Sequence, residues 1–385
     1  MDFSLTAEQQ LLRDSLADWL ADRYDLARSR EAAASEAGWQ PEVWRAFADD
    51  LGILGATLPE EVGGSGGGPV EAMVIAEQLG RALVVEPYVD TVVLGGGVLR
   101  RLPGAGDVLK GVVAGSVRIA PGLLEPTSGH TAHSVATTAR RDGGDWVLTG
   151  AKAVVPGVPQ ATHLLLTART SGEQRDLDGI SIFLLPVELP GLQVHRYRTI
   201  DDRHAADLVL DDVQVPADAL LGEEGRGWTA LAPALDEALA ALTAEAVGCM
   251  RTVLADTVAY SKERRQFGQP IGSFQALQHR MVDMHLEVEQ SVAAMYLATL
   301  RLGAEPAERA RATSAAKVTV SRAARFVGQN AVQLHGGMGM TQELAIGHYF
   351  KRLTAIEYEL GPADHHRSRY ASLTPKPRSA ERGED

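Results

Sequence analysis

Hydrophobic positions recur at helical spacing near the start of the chain, alternate in its middle, and return to helical spacing towards the end. Leu11, Leu12, Leu16, Trp19 and Leu20 mark a first amphipathic face, and Thr6 stands where an N-cap belongs, with Glu8 and Gln9 in the following turn. A further helix is expected at residues 41–50, and another from Pro69, whose fixed φ suits a first helical turn, towards Leu83. Between about residues 119 and 222 the texture changes to β-branched runs at 134–140, 146–148, 163–167, 180–185, 192–197 and 208–215, with Asp142-Gly-Gly-Asp145 predicting a tight hairpin. Short strands with no helices between them imply an antiparallel sheet curled into a barrel or sandwich. From 223 the helical period resumes. A long apolar helix spans 229–265, and the next carries Leu277, Met281, Met284, Val288, Val292 and Met295 on one face. A third starts after Pro306 and ends near Gln333, and a fourth covers 344–358, which together predict a four-helix bundle. The pattern therefore divides the chain into an N-terminal helical domain (1–118), a middle β-domain (119–222), a C-terminal bundle (223–370) and a polar, disordered tail (371–385), an α+β class.

Composition narrows the partners. With 385 residues, 45% of them hydrophobic, there is ample material for a buried core. A net charge of −13 argues against nucleic acid or an anionic membrane surface as the main partner. The first residues lack the basic and apolar regions of a signal peptide, and no uninterrupted apolar run reaches membrane-spanning length, so a cytoplasmic protein is expected. The single cysteine, Cys249, lies in an apolar helical run and reads as a small buried hydrophobe.

Two stretches carry candidate chemistry. The first is Tyr260-Ser-Lys-Glu-Arg264-Arg265-Gln266-Phe267-Gly268-Gln-Pro-Ile271-Gly-Ser-Phe274-Gln275, where Phe267-Gly268 and Pro270 stop one helix and Ser273 is placed to cap the next. Paired guanidiniums at a helix end suit a diphosphate, which Arg binds bidentately, and Phe267 can cover a flat ring. The plainer reading is cations set against a helix dipole. The second is Gln333-Leu-His335-Gly336-Gly337-Met-Gly339, where glycines allow a left-handed cap and close approach of a ligand, leaving Gln333 to read a polar ring edge. Here the plainer reading is a glycine cap. The glycine-rich stretch from Leu58 to Gly68 has no strand before it and no Lys in P-loop spacing after it, and reads as a loop. His365 and His366, adjacent on a helix, point about 100° apart, so no metal site is expected there.

Tyr-x-x-x-Arg-x-x-Phe-Gly followed by Gln-x-x-Gly-Gly-x-Gly resembles the acyl-CoA dehydrogenase family, and the likeness covers almost the whole chain. Leu58-Pro-Glu-x-x-Gly-Gly falls on a turn of that family's N-terminal domain, Leu124-Glu125-Pro126-x-x-Gly129 on its Leu-Thr-Glu-Pro loop, Gly150-Ala-Lys152 on its Gly-x-Lys turn, and the stretch from Leu220 to Trp228 on the exit from its β-domain. The resemblance implies FAD as cofactor, with Arg264, Gln266, Phe267, Gln275, Gln333, Gly336 and Gly337 reaching across a dimer interface to FAD held mainly by the neighbouring subunit. It also implies an acyl-CoA substrate, a homologous subunit in a dimer or tetramer, and an electron-transfer flavoprotein or similar acceptor.

The departures matter as much. Leu124 replaces the family's flavin-bonding Thr, His130 its Ser, and Val154 and Pro156 the aromatic over the flavin and the hydroxyl near N5. Three lost polar contacts at roughly 1 kcal/mol each weaken flavin binding about a hundredfold. The family's catalytic Glu aligns with Leu360 or Gly361, or in other branches with Ala238. Glu245, two turns beyond Ala238 in an apolar run, is the candidate base, with a pKa raised by burial; the alternative is a Glu satisfied by a neighbouring helix. Glu359 and Asp364 are weaker candidates. The motifs retained are those that act on a neighbour's cofactor and those lost act on the chain's own. This implies one half of a heteromeric dehydrogenase, of the kind that handles bulky acyl-CoA esters including steroid side chains; the alternatives are a homomeric enzyme using Glu245 and a non-catalytic scaffold of the same fold.

Overall fold

The computed structural model describes residues 4–374. Its N-terminal part is helical: α1 (Ala7–Arg23), α2 (Leu26–Ala34), α3 (Pro41–Asp49), α4 (Pro69–Arg81), a π-helical segment (Val89–Gly95) running into α5 (Gly96–Leu99), and α6 (Gly106–Val113). Thr6 caps α1 in a reciprocal box: its hydroxyl accepts from the Gln9 N–H at 3.2 Å, and the Gln9 side chain accepts from the Thr6 N–H at 3.0 Å. The hydrophobic pattern missed α2, which buries only Ser29, Ala32 and Ala33 and so presents no periodic large apolar face.

The middle part is a mixed sheet of β1 (Ile119–Gly122), β2 (Thr138–Asp142), β3 (Asp145–Pro156), β4 (His163–Arg169), β5 (Ile180–Pro186), β6 (Leu192–Arg198), β7 (His204–Val215) and β8 (Leu220–Leu221). The order is β6-β7-β3-β2-β4-β5-β8, with β1 beside β4. The sheet is open: β6 and β8 end it without pairing with each other, which corrects the expectation of a barrel. Most pairs are antiparallel, but β1 runs parallel to β4. β1 escaped the sequence reading because Pro121 and Gly122 make up half of it. Gly143-Gly144 forms the expected hairpin, with Asp142 opposite Asp145. Trp146 packs edge-on against Phe183 at 5.6 Å in the core of this sheet.

The C-terminal part holds α7 (Trp228–Glu263), a short hairpin of β9 (Arg265–Gln266) and β10 (Gln269–Pro270), then α8 (Gln275–Leu300), α9 (Pro306–His335), α10 (Ala345–Tyr358) and α11 (Ala363–Leu373). Among the described residues α7 is the one helix long and apolar enough to cross a membrane, and 78% of its most apolar window is buried in the protein. It meets α4 backbone to backbone: a Cβ on Gly80 would lie 2.1 Å from the Glu245 carbonyl oxygen, and one on Gly248 2.0 Å from that of Glu77. Only glycine permits that approach, and it fixes where Glu245 points. On α8, Met284, Val288 and Met295 are buried, with Leu277, Met281 and Val292 packed against the same core. Residues 371–373 close α11, which corrects the expectation of disorder from 371 onwards; residues 375–385 lie outside the described residues.

Candidate functional site

The first candidate stretch forms an exposed elbow. α7 stops at Glu263, Arg264 turns to extended backbone, and the Ile271 N–H donates to the Arg264 carbonyl at 2.8 Å, closing a loop around β9 and β10. Phe267 and Gly268 join the two strands with φ of 53° and 81°, the signature of a type I′ turn. Glycine takes such a φ freely, whereas for phenylalanine it costs about 1–2 kcal/mol. The Phe267 ring is 91% exposed and meets that of Phe274 edge-on at a centroid distance of 6.1 Å. Arg264, Gln266 and Gln275 are also exposed, and the Arg264 guanidinium has no hydrogen-bond or ion-pair partner among the described residues. Ser273 does not cap α8. A short 3-10 turn (Ile271–Ser273) intervenes, the Ser273 hydroxyl donates to the Pro270 carbonyl at 2.6 Å, and α8 starts uncapped at Gln275.

The second stretch lies beside the first. α9 ends at His335, and Gly336, with φ 61°, opens a 3-10 turn (Gly336–Met340). Gln333, Gly336 and Gly337 are exposed, and a Cβ on either glycine would meet nothing within 4 Å, so this turn presents open backbone. The Tyr260 ring stacks on that of His335 at 4.3 Å and 26°, joining the elbow of α7 to the end of α9. The Tyr260–His335 contact therefore brings together two segments far apart in the chain, one exposing a guanidinium, an amide and an aromatic ring, the other an amide and bare glycine.

The residues that the resemblance places beside the chain's own flavin are different. Val154 is 56% exposed with φ 53°, Leu124 and Pro156 are partly buried, and none of the three carries a hydroxyl. His130 sits edge-on to His365 at 6.3 Å, and its Nδ1 is buried with no partner among the described residues. Glu125 and Lys152, from the two motifs of this region that were retained, form a buried ion pair at 2.7 Å. Glu125 also accepts from the Ala136 and Thr137 N–H groups, and the Lys152 ammonium donates to Thr167. Burial would raise the Glu125 carboxyl, but Lys152 and these donors outweigh it and leave it below the usual carboxylate range. Those two motifs hold the loop to β3 and β4, so their presence says nothing about flavin.

Glu245 is buried in an ionic network. Arg352 of α10 donates to both its oxygens, at 2.6 and 3.0 Å, and Arg203 from the tip between β6 and β7 donates at 3.1 Å. Arg352 also bonds Asp201, at 3.0 Å, and Glu359. Burial acts to raise the Glu245 pKa, yet Arg352 and Arg203 outweigh it and hold the group below its usual range. This overturns the expected raised pKa: a carboxylate gripped by two guanidiniums is a weak proton acceptor. Glu359 is tied to Arg352, and Asp364 pairs with Arg367 on the surface. Of the two positions that the resemblance aligns with the family's base, Leu360 packs against the main core with φ 52° and Gly361 has φ 107°; Ala238, the position of other branches, is fully buried. The turn bearing Leu360 is pinned by Lys317, whose buried ammonium donates to the carbonyls of Ile356 and Glu359 and whose pKa burial pulls down to about 8. His365 and His366 face each other edge-on at 5.1 Å, and His366 engages the Leu360 carbonyl at 2.9 Å.

Sequence reasoning missed two carboxyls that do have raised pKa values. Burial pushes Glu86 up to about 7, and the Gln40 N–H, which donates to one of its oxygens at 3.1 Å, does not offset it. Burial, followed by the charge of Glu359, pushes Asp90 in the π-helical segment to about 7. For Glu86 a signal was available, since it stands in the apolar run Val84-Val85-Glu86-Pro87-Tyr88. A folded-state pKa above the unfolded one gives stability that is present at low pH and lost as pH rises through the folded value. Glu86→Gln, which cannot ionise, is therefore expected to match the parent near pH 5 and to exceed it by up to about 3 kcal/mol at pH 8. Chemical denaturation of both proteins across that range checks this; a difference independent of pH contradicts it.

Family models of the N-terminal, middle and C-terminal domains of acyl-CoA dehydrogenases match residues 6–98, 120–213 and 225–372. Acyl-CoA dehydrogenase FadE12 of Mycobacterium tuberculosis is 32% identical over 361 residues, covering 89% of this chain and 90% of that protein. The chain belongs to the acyl-CoA dehydrogenase family. Among solved acyl-CoA dehydrogenase-like folds, the Tcur3481-Tcur3483 steroid ACAD G363A variant is 32% identical with a TM-score of 0.85, covering 95% of this chain and 97% of that one. The ChsE4-ChsE5 complex from Mycobacterium tuberculosis matches at 26% identity and 0.86, covering 98% and 100%. An FAD complex of PigA matches at 25% and 0.87, covering 97% and 98%. Acyl-CoA dehydrogenases are FAD-dependent oxidoreductases acting on CH–CH bonds. The donor set of the elbow and the glycine turn fits the diphosphate and adenosine end of FAD; the hydroxyl-free surface of Leu124, Val154 and Pro156 does not fit an isoalloxazine edge that needs hydrogen bonds.

Proposed function

We propose that this chain is the arm-lending subunit of a heteromeric, cytoplasmic acyl-CoA dehydrogenase. Arg264, Gln266, Phe267, Gln275, Gln333, Gly336 and Gly337 would hold the diphosphate and adenosine end of FAD seated in a homologous partner subunit. The observation that carries this reading is the asymmetry within one chain. The surface suited to a neighbour's cofactor is exposed, while on the chain's own side Leu124, Val154 and Pro156 carry no hydroxyl and the positions aligned with the family's base hold Leu360 or Gly361, and Ala238.

In the assembled enzyme a carboxylate of the partner removes the α-proton of the acyl-CoA thioester. FAD, when bound, supplies the acceptor for the β-hydride, and electrons leave to an electron-transfer flavoprotein or a similar acceptor. Arg264 at the end of α7 contributes positive charge for phosphate oxygens, Phe267 in the β9–β10 turn an aromatic face, and Gln333 near the end of α9 an amide. The pairing of subunits in the ChsE4-ChsE5 complex and the steroid substrate class in the name of the Tcur3481-Tcur3483 enzyme support a bulky acyl-CoA ester as substrate.

The test is turnover. The chain alone, given FAD and an acyl-CoA thioester, is expected to be inactive, and the pair with its homologous subunit active. Glu245→Gln in the pair is expected to leave the pH profile of kcat unchanged, because Glu245 is a held anion and not the base. Activity of the chain by itself that Glu245→Gln abolishes would sink the proposal in favour of a homomeric enzyme.

A further inference from the structure

A cleft of about 230 Å³ opens between the 57–69 loop, α4, the π-helical segment, Arg100 after α5, α7 and the C-terminal end of α8. It shares no residue with the ionic network around Glu245. It lies near Ala241, and the elbow at Arg264 is about 35 Å further along α7 at the helical rise per residue. Its walls are apolar: Leu58, Pro59, Met73, Val93, Ala241 and Leu302 line it, and the run Gly66-Gly67-Gly68 forms a wall without side chains. One end is charged. Glu237 serves two guanidiniums at once, bonding Arg100 in the lining at 2.6 Å and Arg101 just outside it at 2.5 Å, so the three side chains together carry one positive charge in excess. Burial, and to a lesser degree the neighbouring charge of Arg101, outweigh Glu237 and pull the Arg100 guanidinium down from its ordinary value, the mark of a cation short of solvent. Thr299 also lines the cleft; it is 2% exposed, and its hydroxyl has no partner among the described residues. A buried hydroxyl left unbonded costs stability that a bound acceptor recovers.

We infer that this cleft binds a short-chain aliphatic monocarboxylate, its carboxylate towards Arg100 and Thr299 and its alkyl chain along the wall of α4 and α7. The chemistry of the walls sets the class. A single excess positive charge is neutralised by one carboxylate, whereas a phosphate or dicarboxylate would bring surplus negative charge next to Glu237. The volume sets the size, since about 30 Å³ for each water-sized group leaves room for roughly eight non-hydrogen atoms, the size of hexanoate. No role in the redox reaction is needed for this binding, and the site stands whether or not the chain lends an arm to a partner's FAD.

The experiment uses the full chain, with hexanoate and its neutral analogue 1-hexanol as probes, followed by ligand-observed NMR and calorimetry. Hexanoate is expected to bind saturably and at least about tenfold more tightly than hexanol, as loss of a charge-assisted hydrogen bond implies. Thr299→Val keeps the shape, removes the hydroxyl and is expected to weaken hexanoate about threefold to tenfold, with hexanol changed less. Ala72→Phe, at a partly exposed position of the lining, is expected to block both probes. Equal binding of hexanoate and hexanol overturns the carboxylate assignment. Failure of hexanoate to bind, or binding that survives Ala72→Phe in a folded protein, overturns the site itself.

Discussion

Arg352→Met is expected to lower the unfolding free energy by about 3–5 kcal/mol, because it removes one partner from a buried ion network and leaves the others unpaired. Arg352 is 2% exposed and donates to three carboxylates from three parts of the protein: Glu245 of α7, Asp201 at the β6–β7 tip and Glu359 after α10. Without it, Glu245 and Asp201 face each other in the interior with only Arg203 between them. The sign of the pH dependence follows. In the parent both acids are held below their usual range, so their contribution is fully present above the unfolded pKa values and is lost as pH falls. In the variant burial is no longer outweighed and at least one acid takes up a proton more readily, so the deficit is expected to be greatest near pH 7 and to shrink towards pH 5. Glu245→Gln on the Arg352→Met background is expected to recover part of the loss, and a double-mutant cycle measures the coupling. A deficit below 1 kcal/mol at neutral pH would contradict the network as described.

Arg264→Gln combined with Phe267→Asn is expected to leave the chain as stable as the parent and to weaken FAD binding by the assembled pair a hundredfold or more. Both side chains are exposed, and Asn tolerates the left-handed backbone at position 267, so no core contact is lost and strain falls. Each charge-assisted hydrogen bond withdrawn from a phosphate is worth about 1.5–3 kcal/mol, and losing the ring face adds to that. Arg264→Lys is expected to recover only part of the affinity, because an ammonium cannot bind two oxygens side by side. Fluorescence titration of FAD into parent and variant pairs checks the ranking. Equal affinity throughout would remove the elbow from the cofactor's surroundings.

The elbow was legible because its chemistry is local: a helix end, a turn and four informative side chains fall within twelve consecutive residues, from Arg264 to Gln275. The period of the apolar residues likewise revealed the helical, β and helical parts, because burial of one face writes itself into adjacent positions. What failed was whatever depends on distant partners. Glu245 looked like a carboxylate in an apolar run, but Arg352 lies 107 residues away and Arg203 42 residues away, and the guanidiniums that reverse its pKa shift are invisible from α7 alone. The open sheet was hidden for a similar reason. Alternation identifies strands, but closure depends on whether the two outermost strands meet, and here β6 and β8 do not.

The most direct measurement is the FAD content of the purified chain, alone and after assembly with its homologous subunit, each counted per protomer by flavin absorbance. An arm-lending subunit retains no FAD alone and yields a pair holding one FAD for every two protomers, with the Arg264→Gln pair losing it on dialysis. A chain that purifies by itself with a full equivalent of FAD would contradict the account.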